Sequence, residues 1–244
     1  KTKINFSYRF TGAWSPEGLN MLNGDGYTMM MKEAYFNPQQ SPASSNIVEL
    51  NYDQSRPMYY HNFNKNTDWV DAVNQFGQTH NYYVTLTGGG EKARFRISGG
   101  YDHQTGTIIK QEMDRFSTRM VLDYYVSDRI LFSTNFALSY TDNHRNWDGS
   151  STSSILGKAY SAMPDMSIYE YDQYGIPTGD FYKMLPTAKE DDETPDGYSS
   201  KYLSDMKNNG NPVAIAHRAF NNQSTYRINP QFNLRYKLLG KDDE

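Results

Sequence analysis

The side chains that could carry out chemistry in this chain are its histidines, serines and carboxylates. The five histidines lie far apart, and none has a second one four residues away, the spacing that places two imidazoles on one helix face for a metal ion: His61, His80, His103, His144 and His217. No Gly-x-Ser-x-Gly elbow of a serine hydrolase occurs. The chain has no cysteine, which excludes a cysteine-based zinc site and a disulfide framework. We therefore predict no enzyme, no catalytic residue and no metal site.

Two further patterns resemble ligand sites, and each has a simpler interpretation. An acidic run offers the oxygen ligands that calcium prefers, although its spacing is not that of an EF-hand: Glu190, Asp191, Asp192, Glu193 and Asp196. A solvated acidic loop is the simpler interpretation, and calcium is kept as the alternative to having no cofactor. The triple glycine Gly88–Gly90 lacks the Lys-Ser/Thr of a phosphate-binding loop and is followed by a strand pattern. It predicts a hairpin turn.

Aromatic side chains in the long polar segments are the candidates for ligand contact, because rigid rings provide contact area in binding pockets. Six of them are predicted to bind substrate, with local loop packing as the alternative for each: Trp69, Trp147, Tyr160, Tyr169, Tyr171 and Tyr174.

The composition is polar but rich in aromatic residues. Mean hydropathy is −0.82, 15% of the residues are aromatic and 21 are tyrosine. No run of about 18 apolar residues is present to form a transmembrane helix. A transmembrane β-strand needs only about 10 residues of alternating polarity, which leaves mean hydropathy low. The net charge of −4 gives no electrostatic basis for binding nucleic acid.

Six runs alternate between apolar and polar residues with a period of two, the pattern of β-strands. They cover Lys3–Gly12, Asn81–Thr87, Ala93–His103, Arg115–Tyr125, Arg129–Thr141 and Tyr226–Leu238. In the last run the apolar members are Tyr226, Ile228, Phe232, Leu234, Tyr236 and Leu238. The pattern predicts an all-β fold in which residues 1–244 form one domain.

The connections between these strands differ greatly in length. Residues 88–92 and 126–128 form short turns, whereas residues 13–80 and 142–224 form long loops. In an up-and-down antiparallel meander, alternate connections share one end, so both short turns lie opposite both long loops. This asymmetry is typical of outer-membrane barrels, with short periplasmic turns and long extracellular loops. Within the first loop, Gly26–Asn37 is predicted to form a short amphipathic helix.

Four segments together resemble the SusC/RagA-type TonB-dependent transporters of the outer membrane. They are NTDW at 66–69, HNYYVTLTGGGEK at 80–92, RISGGYDHQTGTIIK at 96–110 and RFSTR at 115–119. The resemblance implies a barrel of roughly 22 strands, of which this chain would supply the first six. It also implies that a signal peptide, a TonB box and a plug domain lie outside this sequence, and the start at Lys1 without an apolar leader agrees with that expectation. Five strand arginines are then predicted to line a polar lumen or contact the plug: Arg94, Arg96, Arg119, Arg227 and Arg235.

The function implied by the resemblance is import of glycans or peptides across the outer membrane of a Bacteroidetes-type Gram-negative bacterium. The implied partners are a SusD-like surface lipoprotein, the plug and remaining barrel of the same protein, a TonB complex and outer-membrane lipid. A soluble all-β carbohydrate-binding module is the alternative, although such sandwiches have shorter loops and a filled apolar interior. A surface hydrolase is a third class, disfavoured because no paired acid and base is visible.

Overall fold

The computed structural model of the protein describes residues 1–38, 57–147, 154–182 and 209–238. Their contacts divide between two compact units. The sheet unit comprises residues 1–14, 76–145 and those from 221 onward, and the insert unit comprises residues 15–75 and 146–220. Within the described ranges, no helix is long and apolar enough to cross a membrane.

The sheet unit is a single six-stranded sheet. In sheet order its strands are β1 (Lys3–Ala13), β2 (Gly77–Gly89), β3 (Ala93–Thr105), β4 (Glu112–Ser127), β5 (Ile130–Asn146) and β8 (Phe220–Tyr236). The first four pairings are antiparallel. β8 also runs antiparallel to β5, because Ser224 bonds Asp142 at one end while the Lys237 amide donates to the Arg129 carbonyl at the other. The predicted antiparallel meander is confirmed.

The connections lie as the sequence predicts. The β2–β3 hairpin closes with a hydrogen bond of 2.8 Å from the Gly90 amide to the Ala93 carbonyl. Only Asp128 and Arg129 separate β4 from β5. Both turns lie at the same end of the sheet, and both long connections leave and re-enter at the opposite end. β2 begins at Gly77, earlier than predicted, because Gln78, Thr79 and His80 pair with β1 although their polarity does not alternate.

The two long connections contain secondary structure of their own. The first holds α1 (Gly24–Phe36), α2 (Pro57–Phe63) and α3 (Trp69–Val73), and the second holds α4 (Ile155–Ser161), β6 (Tyr169–Tyr171), β7 (Pro177–Phe181) and α5 (Pro212–Arg218). The predicted helix at Gly26–Asn37 corresponds to α1, which begins after Asn23, whose side chain accepts from the Gly26 amide at 2.9 Å. An Asn side chain at this position satisfies an amide that the first helical turn leaves free.

Segments from both connections build one apolar core. The first supplies Phe63, Trp69 and Val73, and the second supplies Ile155, Ala159, Met163, Met166, Val213 and Ala216. Together with the buried Pro212, these are all the buried apolar side chains in the described part of the chain, so the core lies in the insert unit and the sheet has none. The sequence analysis predicts these segments as long loops, and in the structure their described parts share a hydrophobic core.

Buried hydrogen bonds join the two connections to each other. The Asn62 side chain, which is 1% exposed, donates to the Tyr171 carbonyl at 2.8 Å and accepts from the Tyr171 amide at 2.9 Å. The Trp69 indole N–H donates to the Met163 carbonyl at 2.7 Å, and the Thr67 hydroxyl donates to the Met166 carbonyl at 2.6 Å. These bonds join side chains of the first connection to backbone groups of the second.

We predict that Asn62→Ala destabilises the insert unit. The substitution removes two hydrogen bonds and leaves a backbone amide and carbonyl without their partner, at a cost of roughly 1–3 kcal/mol. In the whole natural protein, hydrogen–deuterium exchange should become faster in peptides covering residues 166–182. Asn64→Ala is the matched control, because Asn64 is exposed two residues away. Equal exchange in the two variants would show that the Asn62 bonds do not hold the connections together.

Candidate functional site

The two faces of the six-stranded sheet differ sharply in chemistry. Paired residues on neighbouring strands share a face, so the register assigns every strand side chain to one face or the other. The apolar face carries Ile4, Phe6, Tyr8, Leu86, Val84, Tyr82, Phe95, Ile97, Tyr101, Leu122, Met120, Phe116, Phe132, Phe136, Leu138 and Tyr140. On β8 it continues through Tyr226 and Phe232, which pack against Tyr140 and Phe132, and by alternation through Ile228 and Leu234.

The apolar face is exposed over its whole width. Phe6 is 66% exposed on β1, Ile97 is 39% exposed on β3, and Leu234 is 72% exposed on β8. Soluble monomers rarely leave a contiguous apolar surface of this kind uncovered. A sheet with one apolar face is stable only when that face is packed against another layer or another apolar medium.

The opposite face is polar and is tied together by side-chain hydrogen bonds. Asp102 accepts from Arg115 Nε and Nη2 at 2.8 and 2.6 Å and from Asn81 at 2.6 Å, which links β2, β3 and β4. Arg119 Nε donates to Asn135 Oδ1 of β5 at 2.9 Å. The polar face thus carries charged side chains that hydrogen bonds connect across neighbouring strands.

All five predicted lumen or plug arginines lie on this polar face. Arg94 and Arg96 pair with Asp123 and Val121 of β4, and Arg119 pairs with Ser98 of β3. Arg227 lines a groove of about 500 Å³ on the same face, and Arg235 follows by alternation. The groove is lined by Arg115, Ser117, Ser139, Thr141, Asn143, Arg145, Gln223, Thr225 and Arg227. Three arginines and no carboxylate line it, so it suits polar or anionic groups.

A row of aromatic side chains crosses the apolar face near the end where the long connections leave. Each member lies opposite the next on the neighbouring strand: Tyr8, Tyr82, Tyr101, Phe116, Tyr140 and Tyr226. Ring centroids are 5.0 Å apart for Tyr8 and Tyr82, 6.2 Å for Tyr82 and Tyr101, and 4.6 Å for Tyr140 and Tyr226. The sequence analysis missed this row, because its members are aligned only once the register of all six strands is known.

Two residues further along β2, β3, β4 and β5 on the same face, the side chains opposite one another are titratable. His80 lies opposite His103, His103 opposite Asp114, and Asp114 opposite Asp142. The sequence analysis looked for histidines spaced along one helix and therefore missed a group assembled across strands.

The six predicted substrate-binding aromatics all belong to the insert unit, in different environments. Trp69 is 3% exposed and uses its indole N–H on the Met163 carbonyl, so the structure favours a packing role for it. Tyr171 lies under the Lys65 ammonium at 4.1 Å, and Tyr169 stacks on Phe181. Trp147 and Tyr174 are 45% and 75% exposed and are open to a ligand or partner.

Trp69 and Tyr160 are the two members of this set that share a groove. Its volume is about 430 Å³, and its walls are residues 17–23 with parts of α3 and α4. The acidic run Glu190–Asp196, the candidate calcium site, lies outside the described residues.

No family model matches the sequence, but curated proteins do. TonB-dependent receptor P3 of Formosa agariphila is 26% identical over 112 residues, which cover 44% of this chain and 11% of that protein. TonB-dependent receptor SusC of Bacteroides thetaiotaomicron is 24% identical over 153 residues, covering 61% of this chain and 14% of that protein. The matched stretches therefore span only about a tenth to a seventh of these relatives' own length.

Solved structures match in fold. The RagAB peptide importer in its closed-closed state superposes with a TM-score of 0.53 at 14% identity, covering 70% of this chain and 22% of that one. Its open-open state gives a TM-score of 0.50 at 15% identity, with the same coverage. Sequence and fold together confirm the predicted resemblance to SusC/RagA-type TonB-dependent transporters.

Proposed function

We propose that this chain is a wall segment of an outer-membrane TonB-dependent active transporter that imports glycans or peptides. The observation that supports this most directly is the exposed apolar face of a sheet that has no core. In this proposal, lipid covers the apolar face, and the polar face lines the lumen or contacts the plug.

The energetics favour lipid as the covering medium. Burying one large aliphatic or aromatic side chain contributes about 1.5–3 kcal/mol, and the apolar face carries side chains of this kind on all six strands. The period-two alternation on each strand is that of a barrel with lipid outside and water or protein inside. Arginines such as Arg94 and Arg227 would then remain on the hydrated side.

The two edge strands carry a further implication. Among the residues that the structure describes, β1 and β8 each pair on one side only. Open strand edges are not tolerated in hydrocarbon, because their amides and carbonyls have no partner there. We therefore propose that both edges pair with further strands of the same protein, which close the barrel.

The aromatic row supports the orientation in the membrane. Tyrosine rings are enriched where hydrocarbon meets the headgroups, because their rings are apolar and their hydroxyls bond to water or lipid. The row lies at the end of the sheet from which the long connections leave. We assign that end to the cell exterior, as in barrels with long extracellular loops.

The insert unit would then be an extracellular element with its own core. We propose that it shapes the outer substrate cavity and contacts a SusD-like surface lipoprotein, with Trp147 and Tyr174 among the exposed contact residues. Energy would come through a TonB complex acting on parts of the protein outside this sequence. The groove containing Tyr160 is the proposed place for a glycan or peptide group.

A soluble carbohydrate-binding sandwich is less consistent with this fold. A sandwich needs a second sheet to cover the apolar face of the first. In the described part of the chain, the only other sheet is the β6–β7 hairpin of three and five residues, which belongs to the insert unit. It is far too small to cover six strands.

We predict that Leu234→Arg impairs assembly of the natural transporter much more than Asn233→Arg does. The two residues are neighbours on β8, and their side chains point to opposite faces. A charge on the lipid-facing side near mid-bilayer costs roughly 2–4 kcal/mol, and less near the interfaces. Heat-modifiable gel mobility of outer-membrane fractions measures the assembled amount.

The same two variants also test the opposite assignment. If Asn233→Arg were the variant that fails to assemble, the polar face would be the one that meets lipid. Equal assembly of both would show that neither face of β8 contacts the hydrocarbon.

We also predict that charges at the tip of the β6–β7 hairpin weaken uptake or lipoprotein association. Tyr174 and Ile176 are 75% and 59% exposed there, so Tyr174→Glu with Ile176→Glu should leave the insert core folded. A contact that includes such anchors should weaken about tenfold or more. Co-purification of the lipoprotein and uptake of labelled substrate are the measurements. Lys92→Glu in the short β2–β3 turn is the control, and wild-type values for the hairpin variant would remove this tip from the interface.

A further inference from the structure

A histidine and two carboxylates meet on the apolar face, just beyond the aromatic row. His103 of β3 lies directly opposite Asp114 of β4, and Glu112 lies two residues before Asp114 on the same side of that strand. His103 Nδ1 is 2.9 Å from Asp114 Oδ1 and 3.8 Å from Glu112 Oε1. One ligand atom from each residue lies within 4.8 Å of the others. Within the described ranges, this is the only group of three metal-ligating side chains so close together.

The donor set points to a class of metal ion. One imidazole nitrogen with two carboxylate oxygens is a mixed nitrogen and oxygen set, which suits zinc and neighbouring divalent transition metals better than calcium or magnesium. Three protein ligands leave at least one coordination position for water or another group. The side chains remain accessible, at 31% exposure for His103, 34% for Asp114 and 48% for Glu112.

The surroundings orient one of these ligands, Asp114, and join the two strands that carry all three. The Tyr101 hydroxyl donates to Asp114 Oδ1 at 2.6 Å and fixes the orientation of that carboxylate. Such outer hydrogen bonds orient metal ligands and raise affinity. The hairpin that joins β3 to β4 is closed just beyond the group by a 2.9 Å bond from the Gly106 amide to the Gln111 carbonyl. This turn and the uninterrupted register of β3 and β4 fix the alignment of the two strands that carry the ligands.

We propose that His103, Glu112 and Asp114 form a binding site for a divalent transition-metal ion such as Zn²⁺ on the rim of the sheet. The site adds a ligand to the proposed transport function and does not depend on it, because metal binding requires only this hairpin. Its competitor is a plain ion pair between His103 and Asp114. That pair uses the same two side chains but needs neither Glu112 nor a metal.

The test uses the whole natural protein in detergent, stripped with a chelator and then dialysed against buffered Zn²⁺. Bound zinc per chain is measured by mass spectrometry over a range of free zinc. His103→Ala and Glu112→Gln should each remove one tightly bound equivalent, with at least a hundredfold loss of affinity at this site. Tyr101→Phe should keep the stoichiometry and weaken binding roughly 10- to 100-fold, because it removes only the outer hydrogen bond. The visible absorption of bound Co²⁺, which reports its coordination geometry, should be lost in His103→Ala.

His61→Gln, a histidine substitution in the insert unit, is the control and should bind zinc like the wild type. Heat-modifiable mobility of each variant shows that the barrel is still assembled, which separates loss of a ligand from loss of the fold. Wild-type stoichiometry and affinity in His103→Ala and Glu112→Gln would overturn the metal site in favour of the ion pair. That outcome would leave the assignment of the sheet faces untouched.

Discussion

The constraint on which this structure depends is that its main sheet has no core. Six strands form one layer, and every buried apolar residue that the structure describes lies in the insert unit. The sheet nevertheless collects most of its large apolar side chains on one face and its arginines on the other. A soluble domain would fill that apolar face with a second layer. The exposed apolar face is therefore stable only if something outside the described chain covers it.

The insert unit, unlike the sheet, has a hydrophobic core of its own. Its two segments are separated in sequence by β2 to β5. Together they bury Phe63, Trp69 and Met166 and satisfy backbone groups through side chains such as Asn62. Because ordering a chain segment carries an entropic cost of about 1–2 kcal/mol per residue, this core explains how the described parts of the two connections can adopt one structure.

Much of the sheet could be predicted from the sequence, because period-two alternation is visible within each strand. Tyr226–Leu238 identified both faces of β8, and the lengths of the connections identified which turns share an end. The aromatic row and the group around His103 could not be predicted in the same way. Their members lie on different strands, and a register shift of one residue would place them on opposite faces. The insert core was missed for a related reason, since Trp69 and Met163 come from different connections.

The aromatic residues predicted to contact substrate also show what the sequence alone cannot distinguish, namely which of them are buried. Trp69 and Tyr174 have similar polar surroundings in the sequence, yet one is 3% exposed and the other 75%. Only the partner atoms distinguish them: the Trp69 indole has a carbonyl acceptor inside the core. Residue type thus identified a plausible set, and the three-dimensional contacts separate its packing members from those that remain open to a partner.

The most direct test of this account measures which face of β8 contacts lipid. Nitroxide labels are placed one at a time on single cysteines at positions 228, 229, 231, 232, 233 and 234 of the natural protein in membranes. Collision with oxygen, which concentrates in lipid, is compared with collision with a water-soluble nickel complex. The account predicts that oxygen contact is high at 228, 232 and 234, and that contact with the nickel complex is low at those positions. Nickel contact as high at those three positions as at 229, 231 and 233, or low contact with both reagents there, would contradict it.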